Sequence, residues 1–346
     1  MPHLFSPFTL RSISLRNRIV MAPMCMYVAS EDGIITDWQL AHYVCRATGG
    51  VGLIITEATA VEARGRNSRR DLGLWDDAQV EPLARVVRLC QARGAAMCCQ
   101  LAHSGRKAWG LHKGAGPTSP VAPSPIPYGE DWVVPHELTA KEVDDLIEAY
   151  RSAARRALAA GFDMIEFHAA HGFLLHEFLS PVTNQRTDEY GGPLENRARL
   201  LLRIVEAVRS VWPQERLLLV KLSSMDWEDG GLTVADQVQV VRWLKDRGID
   251  AVDCSVGHIT SYRPVEYPGC QVPFAETFRR EVGIPTLAVG MITRPEMAEE
   301  IVCNGRADMV VLGRELLRNP NWPLHAALAL RRDPPWPEEY ILARPV

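Results

Sequence analysis

The sequence lacks the features of a membrane protein and of a nucleic-acid-binding protein. Its 346 residues contain no uninterrupted apolar run of about 18, the length that a transmembrane helix needs. The formal net charge is -4, and no long run of Lys and Arg could follow a phosphate backbone. The first residues do not show the basic and apolar segments of a secretory signal. We therefore expect a cytoplasmic protein with no membrane and no nucleic-acid partner.

The cysteines lack the spacing of a metal site. They are Cys25, Cys45, Cys90, Cys98, Cys99, Cys254, Cys270 and Cys303. No two of them form the C-x-x-C pair that is typical of zinc and iron–sulfur sites. A disulfide framework is disfavoured in a chain of this length without an export signal. We expect no metal, and we expect most of these thiols to be reduced and buried.

What the sequence does have is an alternation of short apolar runs with segments of helical periodicity, at intervals of roughly 30 to 45 residues. The runs are Arg18–Met24, Gly52–Val61, Ala95–Gln100, Met164–His168, Leu217–Ser223, Ala251–Val256, Thr286–Met291 and Met309–Gly313. Most are apolar on successive residues, which predicts strands covered on both faces. An open, doubly wound sheet would show the same alternation, but eight strands without a G-x-G-x-x-G motif after the first favour a TIM (β/α)8 barrel. We expect a single α/β domain over residues 1–346.

Helix signals separate the runs. Thr139 and Glu142 match a capping box, after which apolar residues recur on one face until Gly161. Similar helical spacing precedes Gly94 and Gly248, and glycine is the residue that best tolerates a left-handed helix cap. The patterns predict helices that end near these three glycines.

Two segments outside the alternation are assigned to the ends of the barrel. Residues 1–15 precede the first strand and are expected to cap the bottom. Residues 105–135 contain six prolines and cannot form a helix or a central strand. Because this loop follows the third strand, it should lie over the face where barrel active sites are found. We interpret it as a lid, and a passive surface loop is the alternative.

Polar residues at the carboxyl ends of the predicted strands are the candidates for chemistry. They are Cys25, Tyr27, Glu57, Gln100, His103, Lys107, His168, His171, Lys221, Asp253, Gly313 and Arg314. No pair of carboxylates stands out among them, which argues against a glycosidase.

The last two strand ends have the character of a phosphate site. Gly290 follows the seventh run, and Gly313 with Arg314 follows the eighth, where barrels commonly bind phosphate through backbone N–H groups. A phosphorylated cofactor or substrate is one interpretation, and simple barrel turns are the other.

His168 and His171 form the sharpest local feature. Residues three apart on a strand point to opposite faces, so both rings reach one pocket only if the chain leaves the strand at Ala169. Two imidazole N–H groups directed at one oxygen would make an oxyanion site. A metal site and a purely structural pair are the alternatives.

The sequence resembles the Old Yellow Enzyme family, and within it the bacterial branch of thermophilic-like ene-reductases and NADPH dehydrogenases. The resemblance extends over nearly the whole chain. Its motifs are Ala22-Pro-Met-Cys-Met-Tyr27, Gln100-Leu-Ala-His103, Gly105-Arg-Lys107, His168-Ala-Ala-His-Gly172, Asn184-Gln-Arg-Thr-Asp-Glu-Tyr-Gly-Gly192, Glu195-Asn-Arg197, Tyr267-Pro-Gly-Cys-Gln271, Ala288-Val-Gly-Met-Ile292 and Gly313-Arg-Glu-Leu-Leu317.

The resemblance implies an FMN-dependent enzyme that takes hydride from NADPH or NADH and reduces activated C=C bonds by a ping-pong mechanism. It implies a tightly but non-covalently bound FMN that contacts Ala22, Pro23, Met24, Cys25, Ala58, Gln100, Lys221, Gly290, Gly313 and Arg314. It implies catalytic roles for Cys25, Tyr27, His168 and His171, and substrate contacts from Tyr27, His168, His171, Phe173, Tyr267 and Arg344. A homodimer or homotetramer is implied, in which the tail, about residues 333–346, carries Arg344 into a neighbouring site.

The sequence departs from the family pattern at two positions. Phe173 stands where the family has a tyrosine that gives a proton to the substrate, and phenylalanine has no proton to give. Lys221 stands where the family mostly has an arginine beside the flavin. Lysine keeps the positive charge of arginine but lacks its planar, forked guanidinium group. Reduction of quinones or nitro compounds with little C=C activity therefore stays open, as does a flavin redox sensor without turnover.

Overall fold

The structure, a computed structural model, describes residues 2–108, 120–333 and 336–344. The strands are β1 (Phe8–Leu10), β2 (Ile13–Leu15), β3 (Ile19–Met21), β4 (Leu53–Ile55), β5 (Thr59–Ala60), β6 (Leu72–Gly73), β7 (Ala96–Ala102), β8 (Val121–Ala122), β9 (His136–Glu137), β10 (Met164–Ala169), β11 (Leu217–Ser223), β12 (Ala251–Ser255), β13 (Thr286–Ala288) and β14 (Met309–Leu312). The helices are α1 (Asp37–Thr48), α2 (Val80–Ala92), α3 (Ala140–Ala159), α4 (Leu174–Leu179), α5 (Leu194–Arg209), α6 (Val234–Asp246), α7 (Val272–Val282), α8 (Pro295–Cys303), α9 (Arg314–Arg318) and α10 (Trp322–Ala329).

Eight parallel strands close into a barrel. β3, β4 and β7 pair in turn, β7 pairs with β10, and β10 to β14 continue in chain order. The pairing of β14 with β3, in which Val310 lies opposite Ile19, completes the circle. Helices surround the barrel, so each strand is buried on both faces, and the predicted TIM barrel is confirmed.

Each predicted run contains a barrel strand, but five runs are longer than their strands, among them Thr286–Met291, which continues three residues past the end of β13 at Ala288. The run Gly52–Val61 holds β4 and β5, and the chain leaves the barrel between them at Glu57 and Ala58. The run Arg18–Met24 continues past the end of β3 at Met21. In both places apolar residues beyond the strand are buried or half-buried at the top of the barrel, which explains why the pattern alone overestimated the strands.

The β1–β2 hairpin closes the bottom of the barrel, as predicted for residues 1–15. Phe8, Leu10 and Ile13 pack against a core cluster that includes Leu53 and Met164 from the amino ends of the barrel strands. Apolar contact of this kind removes the first layer of barrel side chains from water.

The predicted helices are present where the caps indicated. Thr139 accepts a hydrogen bond from the Glu142 backbone N–H at 3.3 Å, and the Glu142 carboxylate accepts from the Thr139 N–H at 2.9 Å. This capping box opens α3, the longest helix of the described chain. Within the described ranges, no helix combines the length and apolarity that crossing a membrane requires.

The predicted lid lies partly outside the described residues, which omit 109–119. In the parts that are described, β8 pairs with β9, and Tyr128 packs edge-on against Trp132 with ring centroids 4.9 Å apart. The Arg106 guanidinium donates to the Ile259 carbonyl at 2.5 Å, which ties the start of the loop to the segment after β12.

Candidate active site

A cavity of about 400 Å³ opens at the carboxyl ends of the barrel strands. It is lined by Pro23, Cys25, Tyr27, Ala58, Asn67, Gln100, Lys107, Tyr128, Trp132, His168, His171, Phe173 and Arg263. The residues come from the ends of β3, β4, β7 and β10, from the segments that follow these strands and, for Arg263, from the segment after β12. These regions are far apart in sequence. Many of the predicted strand-end candidates are thus brought together in one place.

The two histidines reach this cavity because β10 ends at Ala169. His171 adopts a φ of 59°, a left-handed conformation that turns its ring back toward His168. The ring centroids lie 5.2 Å apart and the planes are nearly perpendicular, at 87°. Backbone strain of this kind is costly in a non-glycine residue and is concentrated at functional sites.

Both histidines are neutral proton donors. Burial and the positive charge of Lys221 hold the pKa of His168 well below its usual value, and burial with the neighbouring His168 does the same for the pKa of His171. The Nδ1 atom of His168 accepts the Ala170 N–H at 3.3 Å, so its proton is carried by Nε2. His171 Nε2 lies 2.6 Å from the Ser255 hydroxyl.

Hydrogen bonds from two directions, through His176 and through Lys107, hold the turn that carries the histidines. Gly172 donates its N–H to Nδ1 of His176 at 2.9 Å, and Nε2 of His176 bonds the Asp226 carboxylate at 2.8 Å. Lys107 donates its ammonium protons to the carbonyl oxygens of His171 and His258, at 2.5 and 2.9 Å. The positions of both imidazoles are therefore fixed before any ligand binds, which is what preorganised donors require.

Cys25 and Tyr27 are positioned by a buried carboxyl. The Met26 N–H donates to Glu57 at 3.0 Å, and Gln39 donates to the other Glu57 oxygen at 2.8 Å. Burial raises the pKa of Glu57 to about 7. Burial also raises the pKa of Tyr27 far above its usual value, so its phenol remains protonated and able to donate.

Phe173 forms an apolar wall. It packs with Ala58, Ala102 and Cys25, and its ring stacks on that of His168. A flat, weakly polar surface of this type suits an aromatic ring system. Ala58, Cys25 and Phe173, for which the resemblance implied cofactor or substrate contacts, all line this cavity.

Lys221 does not line the cavity, although the sequence placed it at a strand end. Its ammonium group forms a buried ion pair with Asp253 on the neighbouring strand β12. Gln100 lines the cavity and donates to Glu166 at 2.8 Å. Sequence reasoning missed Glu166, and the signal that could have found it was one acidic residue inside the otherwise apolar strand Met-Ile-Glu-Phe-His.

A second, smaller cavity lies where the phosphate site was predicted. It measures about 190 Å³ and is lined by Gly313, Arg314 and Arg318 at the end of β14, with residues that flank Gly290. Arg314 pairs with Glu266 at 3.0 Å and remains largely exposed. Gly290 has a φ of 123°, and a Cβ there would lie 2.9 Å from the Gln271 nitrogen, so only glycine fits.

Ala22 and Met24, just past the end of β3, lie beside Gly313 of the second cavity. A Cβ on Gly313 would lie 3.6 Å from Ala22 and 3.5 Å from the sulfur of Met24, so the end of β3 borders the second cavity. Cys25, the next residue along, lines the first. One elongated ligand with a phosphate at one end and a ring at the other could follow this segment.

Two predicted substrate residues lie elsewhere in the single chain. Tyr267 lines a separate cavity of about 380 Å³ together with His258. Arg344 pairs with Asp333 at 2.6 Å, and the preceding Glu339 pairs with Arg93 at the amino end of β7. The tail is therefore held at the bottom of its own barrel, away from the cavity at the top.

The comparisons with known proteins agree with this geometry. A family model described as the NADH:flavin oxidoreductase / NADH oxidase family matches residues 3–332. The chain belongs to the Old Yellow Enzyme family, whose members are oxidoreductases. Among its relatives, an NADPH dehydrogenase of Geobacillus thermodenitrificans is 51% identical over 94% of both chains, and one of Listeria monocytogenes is 48% identical over 99% of both. The solved structure of morphinone reductase superimposes with a TM-score of 0.82 at 32% identity, covering 95% of this chain and 90% of that one.

The residues of this Old Yellow Enzyme chain fit an FMN cofactor. The second cavity supplies a glycine-lined cradle and two arginines for a phosphate. The first cavity supplies the apolar wall of Ala58 and Phe173 and a mixed donor and acceptor in Gln100. Glu166 and Asp253 each have one buried carboxylate oxygen without a hydrogen-bond partner among the described residues. Among the described residues there is no group of three or more His, Cys, Asp or Glu side chains that could hold a metal ion.

Proposed function

We propose that the protein is an FMN-dependent NAD(P)H oxidoreductase, an ene-reductase that reduces activated C=C bonds of α,β-unsaturated carbonyl and nitro compounds. The observation that carries the proposal is the convergence of His168 and His171 on one cavity as neutral donors. The relatives named NADPH dehydrogenase support NADPH as the electron donor.

An FMN bound tightly but non-covalently in these cavities would supply the hydride-transfer chemistry between the nicotinamide and a second substrate that takes its place in the same pocket, in a ping-pong sequence. Gly290, Gly313 and Arg314 would hold the phosphate. Ala22, Pro23, Met24, Cys25, Ala58 and Gln100 would surround the ring, with the charge of Lys221 close by. The thiol of Cys25 would tune the ring through its polarizability and weak hydrogen bonding.

The protein's own part in the reaction is to stabilise negative charge on the substrate oxygen. His168 Nε2–H and an N–H of His171 are donors held by the backbone and by Ser255. Because they need no reorganisation when charge develops, they favour the transition state over the bound substrate. Tyr27, whose hydroxyl accepts from Asn67 at 3.2 Å, supplies a further phenolic donor at the edge of the cavity.

Phe173 favours a second candidate function, reduction of quinones or nitro compounds with little C=C activity. Reducing a C=C bond requires a proton at the α-carbon, and a phenylalanine facing the cavity offers none. Water must then supply that proton in an ene-reductase. A quinone takes its protons on oxygen, close to the histidine donors, and does not need the missing group.

We further propose a homodimer or homotetramer in which the tail completes a neighbouring site. Leu342 is fully exposed, and Tyr340 and Ile341 are about half exposed, so the tail presents an apolar surface to a partner. Arg344 would reach the neighbour's cavity only by leaving Asp333. Tyr267 is proposed as a substrate contact from the rim of the adjoining cavity.

Anaerobic stopped-flow of the flavin-loaded protein tests the function. The visible flavin band is followed first with NADPH and then with 2-cyclohexenone, a quinone or a nitroalkene. Bleaching by NADPH and recovery with the enone support the ene-reductase. Recovery with the quinone but not with the enone supports the second candidate, and a protein that takes up no FMN contradicts both.

A further inference from the structure

A charged layer lies inside the barrel beneath the cavity. Gln100, Glu166, Lys221 and Asp253 belong to four neighbouring strands, β7, β10, β11 and β12, and each is at most 4% exposed. Glu166 lies opposite Gln100 in the strand register, and Lys221 lies opposite Asp253. Barrel interiors are usually filled with branched apolar side chains, so this layer needs an explanation.

The layer contains two carboxyl groups and one ammonium group. The carboxylate of Asp253 is neutralised by its ion pair with Lys221. Glu166 accepts from Gln100, while its second oxygen has no hydrogen-bond partner among the described residues. A buried charge without a partner is strongly unfavourable, so the geometry favours a protonated Glu166 at neutral pH.

The groups that face Glu166 agree with this assignment. Cys98 and Gln100 face it from β7, Lys221 from β11 and Asp253 from β12, and His168 follows it on the same face of β10. Burial and the charge of Asp253 raise the pKa of Glu166 to about 8, although Lys221 acts in the opposite direction. Only Lys221 favours the ionised form by its charge.

The layer communicates with the cavity through two side chains. Gln100 lines the cavity and bonds Glu166 directly. The charge of Lys221 acts on His168 and His171, both of which line the cavity. A negative charge that appears in the cavity must therefore act electrostatically on Glu166, which is two residues from His168 on the same strand.

We propose that Glu166 exchanges a proton with water when the bound flavin changes its oxidation state, and so sets how the flavin potential depends on pH. The proposal rests on the proposed function, because it requires FMN in this cavity. Hydride from NADPH delivers two electrons and one proton to the flavin and releases NADP⁺. Where Glu166 is ionised beforehand, the new negative charge on the flavin makes its carboxylate take one further proton from water.

The experiment is a spectroelectrochemical titration of the flavin-loaded protein from pH 6 to pH 10. For a two-electron couple, one proton gives a slope of about 30 mV per pH unit and two protons give about 60 mV. We expect the shallow slope near neutral pH, where Glu166 is protonated in both states, and the steep slope above about pH 8. Protonation of the reduced flavin itself would instead give the steep slope at the acid end of the titration.

Two variants assign the steep region. Glu166→Gln keeps an acceptor for Gln100 but cannot ionise, so its slope should stay shallow to pH 10. Glu177→Gln is the matched control, because Glu177 is a second fully buried carboxyl on α4 whose pKa is also raised by burial to about 8. It should retain the steep region. Loss of the steep region in Glu177→Gln, or persistence of the steep region in Glu166→Gln, overturns the inference.

Infrared difference spectra keep the inference testable if Glu166→Gln does not fold. At pH 9, reduction of the wild-type protein should produce a new protonated-carboxyl band that shifts in D₂O and persists in Glu177→Gln. Absence of that band from a protein whose flavin is reduced overturns the inference and leaves the proposed function intact. A protein that binds no FMN overturns both.

Discussion

Phe173 stacks on His168 with ring centroids 4.5 Å apart and planes inclined by 29°. The ring is therefore held over one of the two histidines that we propose as donors to the substrate oxygen, in the cavity where the proposed reaction would need a proton donor. Replacing it by Tyr adds a hydroxyl without changing the stacking surface.

We expect Phe173→Tyr to accelerate reoxidation of the flavin by 2-cyclohexenone at least tenfold, since a positioned general acid contributes on the order of 10² to 10⁴ in rate. Reduction by NADPH should change little, because it needs no proton from this position. Single-turnover kinetics in H₂O and D₂O measure both half-reactions. Phe173→Leu, which adds no proton, is the control, and equal rates in the two variants would contradict the assignment.

His168→Ala and His171→Ala test the oxyanion site. Each should lower kcat/KM for an enone about 100-fold, since loss of one preorganised donor costs roughly 3 kcal/mol. His258 is a matched control, because its ring lies 5.4 Å from that of His171 but does not line the main cavity. Steady-state rates with a fixed NADPH concentration give the comparison. If His258→Ala were as damaging as the other two, the effect would be structural.

The barrel could be predicted because its strands are apolar on successive residues and recur with helical segments between them. The ends of the strands could not be predicted as well. Pro23 and Met24 continue the apolar pattern of β3, yet they lie beyond its last residue, Met21: Pro23 faces the cavity, and Met24 packs against the core without pairing in the sheet. Hydrophobicity reports burial and does not distinguish a strand from the wall of a pocket.

The candidate site was predictable where strand ends carry polar residues. Cys25, Tyr27 and the two histidines were found in this way. Glu166 was not, because it lies within a strand, where polarity is unexpected. Tyr128 reaches the cavity from a Pro-rich loop through contacts with Lys107 and the Thr260 carbonyl, and no periodic pattern records such tertiary contacts.

Arg314→Ala should weaken FMN binding by about 10- to 100-fold, because a hydrogen bond to a charged group contributes roughly 1.5 to 3 kcal/mol. Glu266→Gln removes the carboxylate that competes for Arg314 and should leave binding as tight or tighter. Quenching of flavin fluorescence at several salt concentrations measures the dissociation constant. Arg294→Ala, an exposed arginine in the segment after β13, should have no effect, and a similar loss there would point to general surface charge.

Glu57→Gln should change the pH dependence of stability. Burial raises the pKa of Glu57 from 4.5 to about 7, so the folded protein holds a proton that the unfolded chain releases between these values. The stability from this group is complete below about pH 4.5 and is lost as the pH rises through 7. The free energy of unfolding, measured by urea titration, should therefore be compared between Glu57→Gln and wild type across this range. The difference, variant minus wild type, should rise by on the order of 3 kcal/mol between pH 4.5 and pH 8. Glu142→Gln should shift oppositely and in a lower range, below about pH 4.5, because hydrogen bonds from Thr139 and His136 lower the pKa of Glu142 to about 2, and the stability from its carboxylate is lost as the pH falls from 4.5 toward 2. A shift of the same sign in both variants would contradict the assignment of Glu57 as a protonated buried group.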